Sequence, residues 1–187
     1  MSTTTLVINC NDGDCWADQP GNFDNAGTEL YIGESVNDAG RNPRTWFQFT
    51  VPLSQNQSIV AADLFVVANA TSSADAANVS VSCENAVNPS APANAADLNG
   101  RSVIGGQTVA LPQFTGGSTY SFDVDTCIAA ALALSGWVYN SNLAVIIDNV
   151  DCLKVHRARS SRHTGGAYRA YLQIEVLDLI PLGGVML

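Results

Sequence analysis

Short stretches rich in Val, Ile, Thr, Phe and Trp recur along this chain, and most are closed by Gly, Pro, Asn or Asp. That pattern constrains the fold more than any other feature. β-branched and aromatic side chains suit a pleated, half-buried surface, and the closing residues supply turns. Strands are expected at residues 3–9, 29–32, 45–51, 59–68, 78–83, 107–111, 119–124, 143–147, 153–157 and 170–177. A helix is expected at residues 126–134, with Asp125 as its cap and Gly136 as its stop. Residues 10–25 and 37–43 read as turn-rich loops. Residues 84–100, dominated by Ala, Asn and Pro, read as a long surface excursion. Alternating strand–helix–strand units are absent. The expected fold is therefore all-β: a jelly-roll β-sandwich of two antiparallel sheets with one short helix. One domain is expected over residues 1–178, followed by an apolar tail at 179–187.

Charge narrows the partners. Only 13% of residues are charged, and the formal net charge is −9. So acidic a chain is a poor nucleic-acid binder, because counterion release needs basic groups. The surface must draw its polarity from Asn, Ser, Thr and Gln, which suits close contact with a neighbour because few charges need desolvating. Of the 8 basic residues, 5 cluster late: Lys154, Arg157, Arg159, Arg162 and Arg169. They form either a solvated loop beside a strand or a contact for an acidic partner surface. No apolar run approaches the ~20 residues of a membrane helix. No secretory signal precedes the first strand, so synthesis in a reducing cytoplasm is expected, with most of the 5 cysteines free. Cys10 and Cys15 are spaced for a small disulfide or half a metal site.

Candidate sites follow from residue type. Asp12, Asp14 and Asp18 offer oxygen ligands for Ca²⁺; the alternative is a turn held by Asx bonds. No other cofactor is expected. Trp16, Trp137 and Tyr139 lie in or beside polar loops, where a ring can stack on a sugar; the alternative is packing. Trp46, Phe47 and Phe49 alternate along one strand, so part of that set is core. No catalytic motif is present, and Ser160, Ser161, His156 and His163 lie too close in sequence to make a usual catalytic pair. The tail places Leu182, Val185 and Leu187 in a run that costs about 25 cal/mol for each Å² left in water. It folds back on its domain or docks on a neighbouring subunit.

Four segments, in order, resemble the DNRLRE-type domains, disaggregatase-related jelly rolls near carbohydrate-binding modules. Residues 14–33 (DCWADQPGNFDNAGTELYIG) look like that family's Asp-rich opening loop and "L-x-I-G" strand. Residues 44–49 with 59–64 resemble "R-x-x-L-x-F … I-x-x-A-x-L". Residues 120–133 (YSFDVDTCIAAALA) resemble its "D-V-T" strand-to-helix segment, with Asp125 interrupting the motif. Residues 157–176 resemble its closing strand, matching at Arg169, Tyr171, Leu172 and Val176 but with His163 for Glu and Ala170 for Pro. The resemblance implies a non-catalytic jelly roll. The expected function is that of a virion structural protein. It would be a phage capsid decoration or cement protein, or a fibre or tail component, made in the host cytoplasm. It would be homotrimeric, with Arg157, Arg159, Arg162 and the tail meeting capsid proteins. The alternative is a carbohydrate-binding module with a glycan partner.

Overall fold

The structure is a computed structural model that describes residues 2–18, 21–33, 42–72, 77–150, 156–163 and 169–177. The apolar tail with Leu182, Val185 and Leu187 lies outside those residues, as do Lys154 and Cys152. The elements run β1 (Thr3–Asn9), β2 (Cys15–Ala17), β3 (Phe23–Asp24), β4 (Glu29–Ile32), β5 (Arg44–Val51), β6 (Ile59–Val67) and β7 (Ala77–Glu84). They continue α1 (Ala95–Asn99), β8 (Val103–Leu111), β9 (Thr119–Asp123), α2 (Asp125–Leu132), β10 (Ser141–Asn149), β11 (His156–Arg159) and β12 (Tyr171–Leu177).

Every strand pair among the described residues is antiparallel. A four-stranded sheet has the order β1-β12-β6-β9, and a six-stranded sheet has the order β3-β2-β5-β10-β7-β8. The two sheets pack as a jelly-roll sandwich. Period-two alternation decides what goes inside. Leu64 and Val66 of β6 and Leu172 and Ile174 of β12 meet Phe47 and Phe49 of β5 and Val145 of β10, all with no exposed surface. A third piece was not expected: a two-stranded ribbon, β11-β4, joined to the end of β6 by an Ala68–Ala158 bridge.

Two short helices form where one was expected. The first, α1, lies in the segment read as a surface excursion. Asn94 accepts the Asp97 N–H at 2.9 Å as N-cap, and Asp97 Oδ2 accepts the Ala93 N–H at 2.8 Å. Its Ala95 and Leu98 bury Trp46, Cys15, Ala17, Ala144 and Ile146 on the outer face of the six-stranded sheet, making a second small core. Trp46 therefore faces outward on its strand and is still fully buried. Arg101 fastens this cover by pairing with Glu84 and Asp97, while Glu84 Oε2 accepts the Trp46 indole N–H at 2.9 Å. Arg44 adds a bidentate pair with Asp148 and bonds to the Leu98, Asn99 and Arg101 carbonyls.

The second helix differs from expectation at both ends. Asp125 is its first residue rather than its cap, and its own N–H donates to Asp123 Oδ1. The position of the cap belongs to Val124, which has no side-chain oxygen to offer. Ala133 closes the helix, and Gly136 (φ 91°) lies in the turn beyond. Further, β8 starts at Val103 rather than Gln107, because Gly105-Gly106 is a bulge and not a turn. Two residues, Gly105 and Gly106, stand opposite the single Ser82, with Gly105 at φ 61°.

Candidate functional site

The three aspartates do not converge on a metal. Asp14 is buried, and its carboxylate accepts the backbone N–H and the hydroxyl of Ser161 while pairing with Arg162. Burial pushes its pKa up, and the Ser161 bonds and Arg162 pull against that. Asp18 accepts the N–H groups of Gly21 and Asn22 and the Asn22 amide. Asp12 pairs with Arg169 at 2.8 Å. Among the described residues, no three Asp, Glu, His or Cys side chains gather as a cation site. The turn alternative accounts for Asp18, and a strand-to-loop latch accounts for Asp14. The lone pairs with which Asp14 and Asp18 accept these bonds are less available to Ca²⁺.

The basic cluster is largely engaged within the domain. Arg157 pairs with Glu29 at 3.3 Å and lies 5.4 Å from the centre of the Tyr31 ring. Arg162 donates to the Asp12 and Asp14 carbonyls. Arg159 is half-buried in β11. Arg157 thus ties β11 to β4, and Arg162 ties the loop after β11 to the segment before β2, which shortens the list of charges left for a partner.

The three candidate aromatics go to three different places. Trp137 is 3% exposed, and its indole N–H donates to the Leu53 carbonyl, so it has no ring face for a ligand. Trp16 is half-buried on the inward side of β2, edge-on to Tyr31 at 4.5 Å. Tyr139 is 62% exposed beside Val138, in a loop turned by Gly136 and Asn140 at positive φ. The structure does not bring the three together. Cys10, Cys15, Cys83 and Cys127 are free and buried, so Cys10 and Cys15 form no disulfide. Burial pushes the Cys15 thiol up to about 12.

A site that sequence reasoning missed stands on the outer face of the four-stranded sheet. Alternation from the buried Leu64 and Leu172 sends Asp63 and Phe65 of β6, and Tyr171 and Gln173 of β12, outward. The strand register sets Tyr171 directly opposite Phe65 and Gln173 opposite Asp63. The two rings stack with centroids 4.7 Å apart and planes 6° from parallel. Both stay half-buried at the surface. Next door on β9, Ser121 stands opposite Phe65, and Asp123 stands opposite Asp63. On β1, Asn9 stands opposite Tyr171, and Val7, 63% exposed, stands opposite Gln173.

The result is two adjacent rows across four strands: Asn9, Tyr171, Phe65 and Ser121, then Val7, Gln173, Asp63 and Asp123. Each row spans about 14 Å at the usual strand spacing. Among the described residues, no hydrogen bond engages the Asp63 carboxylate. Desolvation raises its pKa, and the charges of Asp123 and Asp125 raise it further. The sequence signal was legible: within the apolar run 59–68, Asp63 and Phe65 occupy one parity and Ala62, Leu64 and Val66 the other.

No family model and no curated protein matches the chain. The resemblance to the DNRLRE-type domains therefore rests on the four segments quoted for it. The chain is similar in structure to TmCBM61, solved in complex with β-1,4-galactotriose. The TM-score there is 0.30 and the identity 7%, over 90% of this chain and 86% of that one. It is also similar to the CBM22-1–GH10 modules of Clostridium thermocellum xylanase 10B, solved with xylohexaose. In that case the TM-score is 0.33 and the identity 9%, over 91% of this chain and 28% of that one. At such scores neither likeness bears on what this chain binds, and a functional reading stands on its own residues.

Proposed function

We propose that this chain is a glycan-binding domain that acts by binding, with the outer face of the four-stranded sheet as its site. The observation that carries this reading is the stacked Phe65–Tyr171 pair on a sheet face that no described helix or strand covers. The opposite face of the sandwich carries apolar groups too, but α1 and Arg101 cover it with the protein's own chain. A sugar offers an apolar C–H face and a rim of hydroxyls. It matches a surface where aromatic rings lie beside a carboxylate, two amides and a hydroxyl whose side chains make no hydrogen bond among the described residues. Asp63, Gln173, Ser121 and Asn9 are those groups.

The reading as a capsid decoration protein drew on the tail at 179–187 and on the basic cluster. The tail lies outside the described residues, and Arg157 and Arg162 are paired inside the domain. No observation favours that reading over glycan binding.

Affinity electrophoresis through gels cast with single polysaccharides tests the proposal. Retardation of the wild-type chain by at least one polysaccharide is expected. Phe65→Ala with Tyr171→Ala should weaken it at least tenfold, the range of a central aromatic contact, while the far-ultraviolet spectrum stays unchanged. Equal retardation of the double variant would place binding elsewhere and end the proposal.

A further inference from the structure

We infer that the same sheet face sorts glycans by charge, accepting neutral or amine-bearing chains and rejecting those with carboxylate or sulfate groups. This rests on the glycan-binding reading and adds the class of glycan. The outward positions of the four strands hold Asp63, Asp123 and Glu175, and no Lys, Arg or His among the described residues. The arginines at the borders are already taken. Arg169, two residues before Tyr171, pairs with Asp12, and Arg157, next to the bridge at the end of β6, pairs with Glu29.

Asp63 and Asp123 stand close to the aromatic pair, and Glu175 lies farther along the same face. Asp63 is two residues from Phe65 on one strand and directly opposite Asp123 on the next. Glu175 is four residues along β12 from Tyr171 and accepts the Thr3 hydroxyl. Asp63 and Asp123, facing each other on adjacent strands, already repel. The raised pKa of Asp63 agrees: burial is its larger cause, and the charges of Asp123 on β9 and Asp125 on α2 add to it. A sugar stacked on Phe65 and Tyr171 would hold any acidic substituent within about 7 Å of Asp63, one two-residue step along a strand. A like-charge pair at that distance in water weakens binding roughly threefold. Asp63, the slightly more distant Asp123 and Glu175, about 13 Å from Tyr171 along β12, together weaken it roughly tenfold at low salt, and salt screens the effect.

The test is a polysaccharide array probed with the full chain at low and at high salt. It carries β-glucan, xylan, galactan and mannan as neutral probes and chitosan as the amine-bearing one. The anionic probes are polygalacturonate, alginate and chondroitin sulfate. Binding is expected among the neutral probes or chitosan, with anionic probes at least tenfold weaker at low salt and the gap shrinking at high salt.

The chain's net charge of −9 repels polyanions from any face, so a variant decides whether this face is responsible. Asp123→Asn with Glu175→Gln keeps the aromatic pair and Asp63, and should narrow the gap several-fold at low salt by raising binding to the anionic probes while binding to the neutral ones holds. A gap that stays unchanged in this variant overturns the inference. Anionic probes that bind wild type as well as neutral ones overturn the inference and leave the glycan reading standing. No binding to any probe overturns both.

Discussion

Replacing Gly105 by Ala tests how β8 and α2 fit together. Gly105 holds φ 61°, and a Cβ built there would stand 2.6 Å from Cys127 Cα, 2.9 Å from the Thr126 carbonyl oxygen and 3.1 Å from Ala130 Cβ. All three atoms belong to α2, and the two closest are backbone, which cannot swing aside as a flexible side chain would. A left-handed conformation costs a non-glycine residue about 1–2 kcal/mol. Forcing an extra carbon into packed surroundings costs about 1–3 kcal/mol more. The sum is about 2–5 kcal/mol, and a domain of this size loses roughly 2–4 °C of melting temperature for each kcal/mol. A drop of roughly 4–20 °C is expected.

Two controls separate the terms. Gly117 also has positive φ (84°) but meets nothing within 4 Å, so Gly117→Ala should lose only the conformational part. Gly106 lies at ordinary contact distance from Ser82 (3.7 Å), so Gly106→Ala should cost nothing measurable. Thermal unfolding followed by circular dichroism gives all three numbers. If Gly105→Ala melts no lower than Gly117→Ala, the close approach of helix to bulge is refuted.

Two more perturbations probe the buried polar groups. Glu84→Ala would leave both the Trp46 indole N–H and the Arg101 guanidinium without their shared acceptor, where the Arg101 and Glu84 side chains are 10% and 8% exposed. Arg101 keeps Asp97 and the Ser90 carbonyl, so a loss of about 1–3 kcal/mol is expected by urea unfolding, and a loss below about 1 kcal/mol, the worth of an exposed pair, would contradict the network. Asp14 has a folded pKa raised by burial, so the folded state holds its proton to higher pH than the unfolded chain does. Stability from this group is thus greatest at low pH and falls as pH rises through the window between the two values. Wild type should gain on Asp14→Asn as pH drops from 7 to 4 in paired melts, and the opposite slope would refute the assignment.

What the sequence disclosed depended on how many faces of each strand are buried. A strand with one wet face, such as β12, alternates cleanly and fell where expected. In β5, Trp46, Phe47 and Phe49 are all fully buried on both sides of one strand. No period marks which side meets the core and which meets α1. That helix was hidden because Ala, Asn and Pro read as loop, although Asn94 followed by Asp97 is a capping signal. Residues 15–17 and 23–24 were hidden by their shortness: β2 is three residues inside an Asp- and Asn-rich stretch, held by pairing to β5 rather than by its own propensity. The candidate site was hidden for a related reason. Counting Asp63 into one apolar run obscured that it shares a parity with Phe65, and aromatics near loops drew attention away from a strand face.

The two outer faces of the sandwich explain why the site falls where it does. The outward positions of the six-stranded sheet include Trp46, Ala144, Ile146, Cys15 and Ala17. Leaving that much apolar surface in water is costly. The segment around α1 covers it, and the Glu84–Arg101 and Arg44–Asp148 pairs keep the cover down. The outward positions of the four-stranded sheet are mostly Thr, Asn, Gln, Ser, Asp and Glu, and such a face is stable in water without a cover. Folding alone does not require an aromatic pair there, because a Thr or Gln opposite another would hold the register of β6 and β12 as well. Phe65 and Tyr171 therefore leave apolar surface half in water beside carboxylates that repel each other. The facing carboxylates lower the stability of the free domain, the rings keep surface that a partner can still bury, and one bound chain of sugars would answer both at once, covering the rings and giving the carboxylates hydroxyls to accept from.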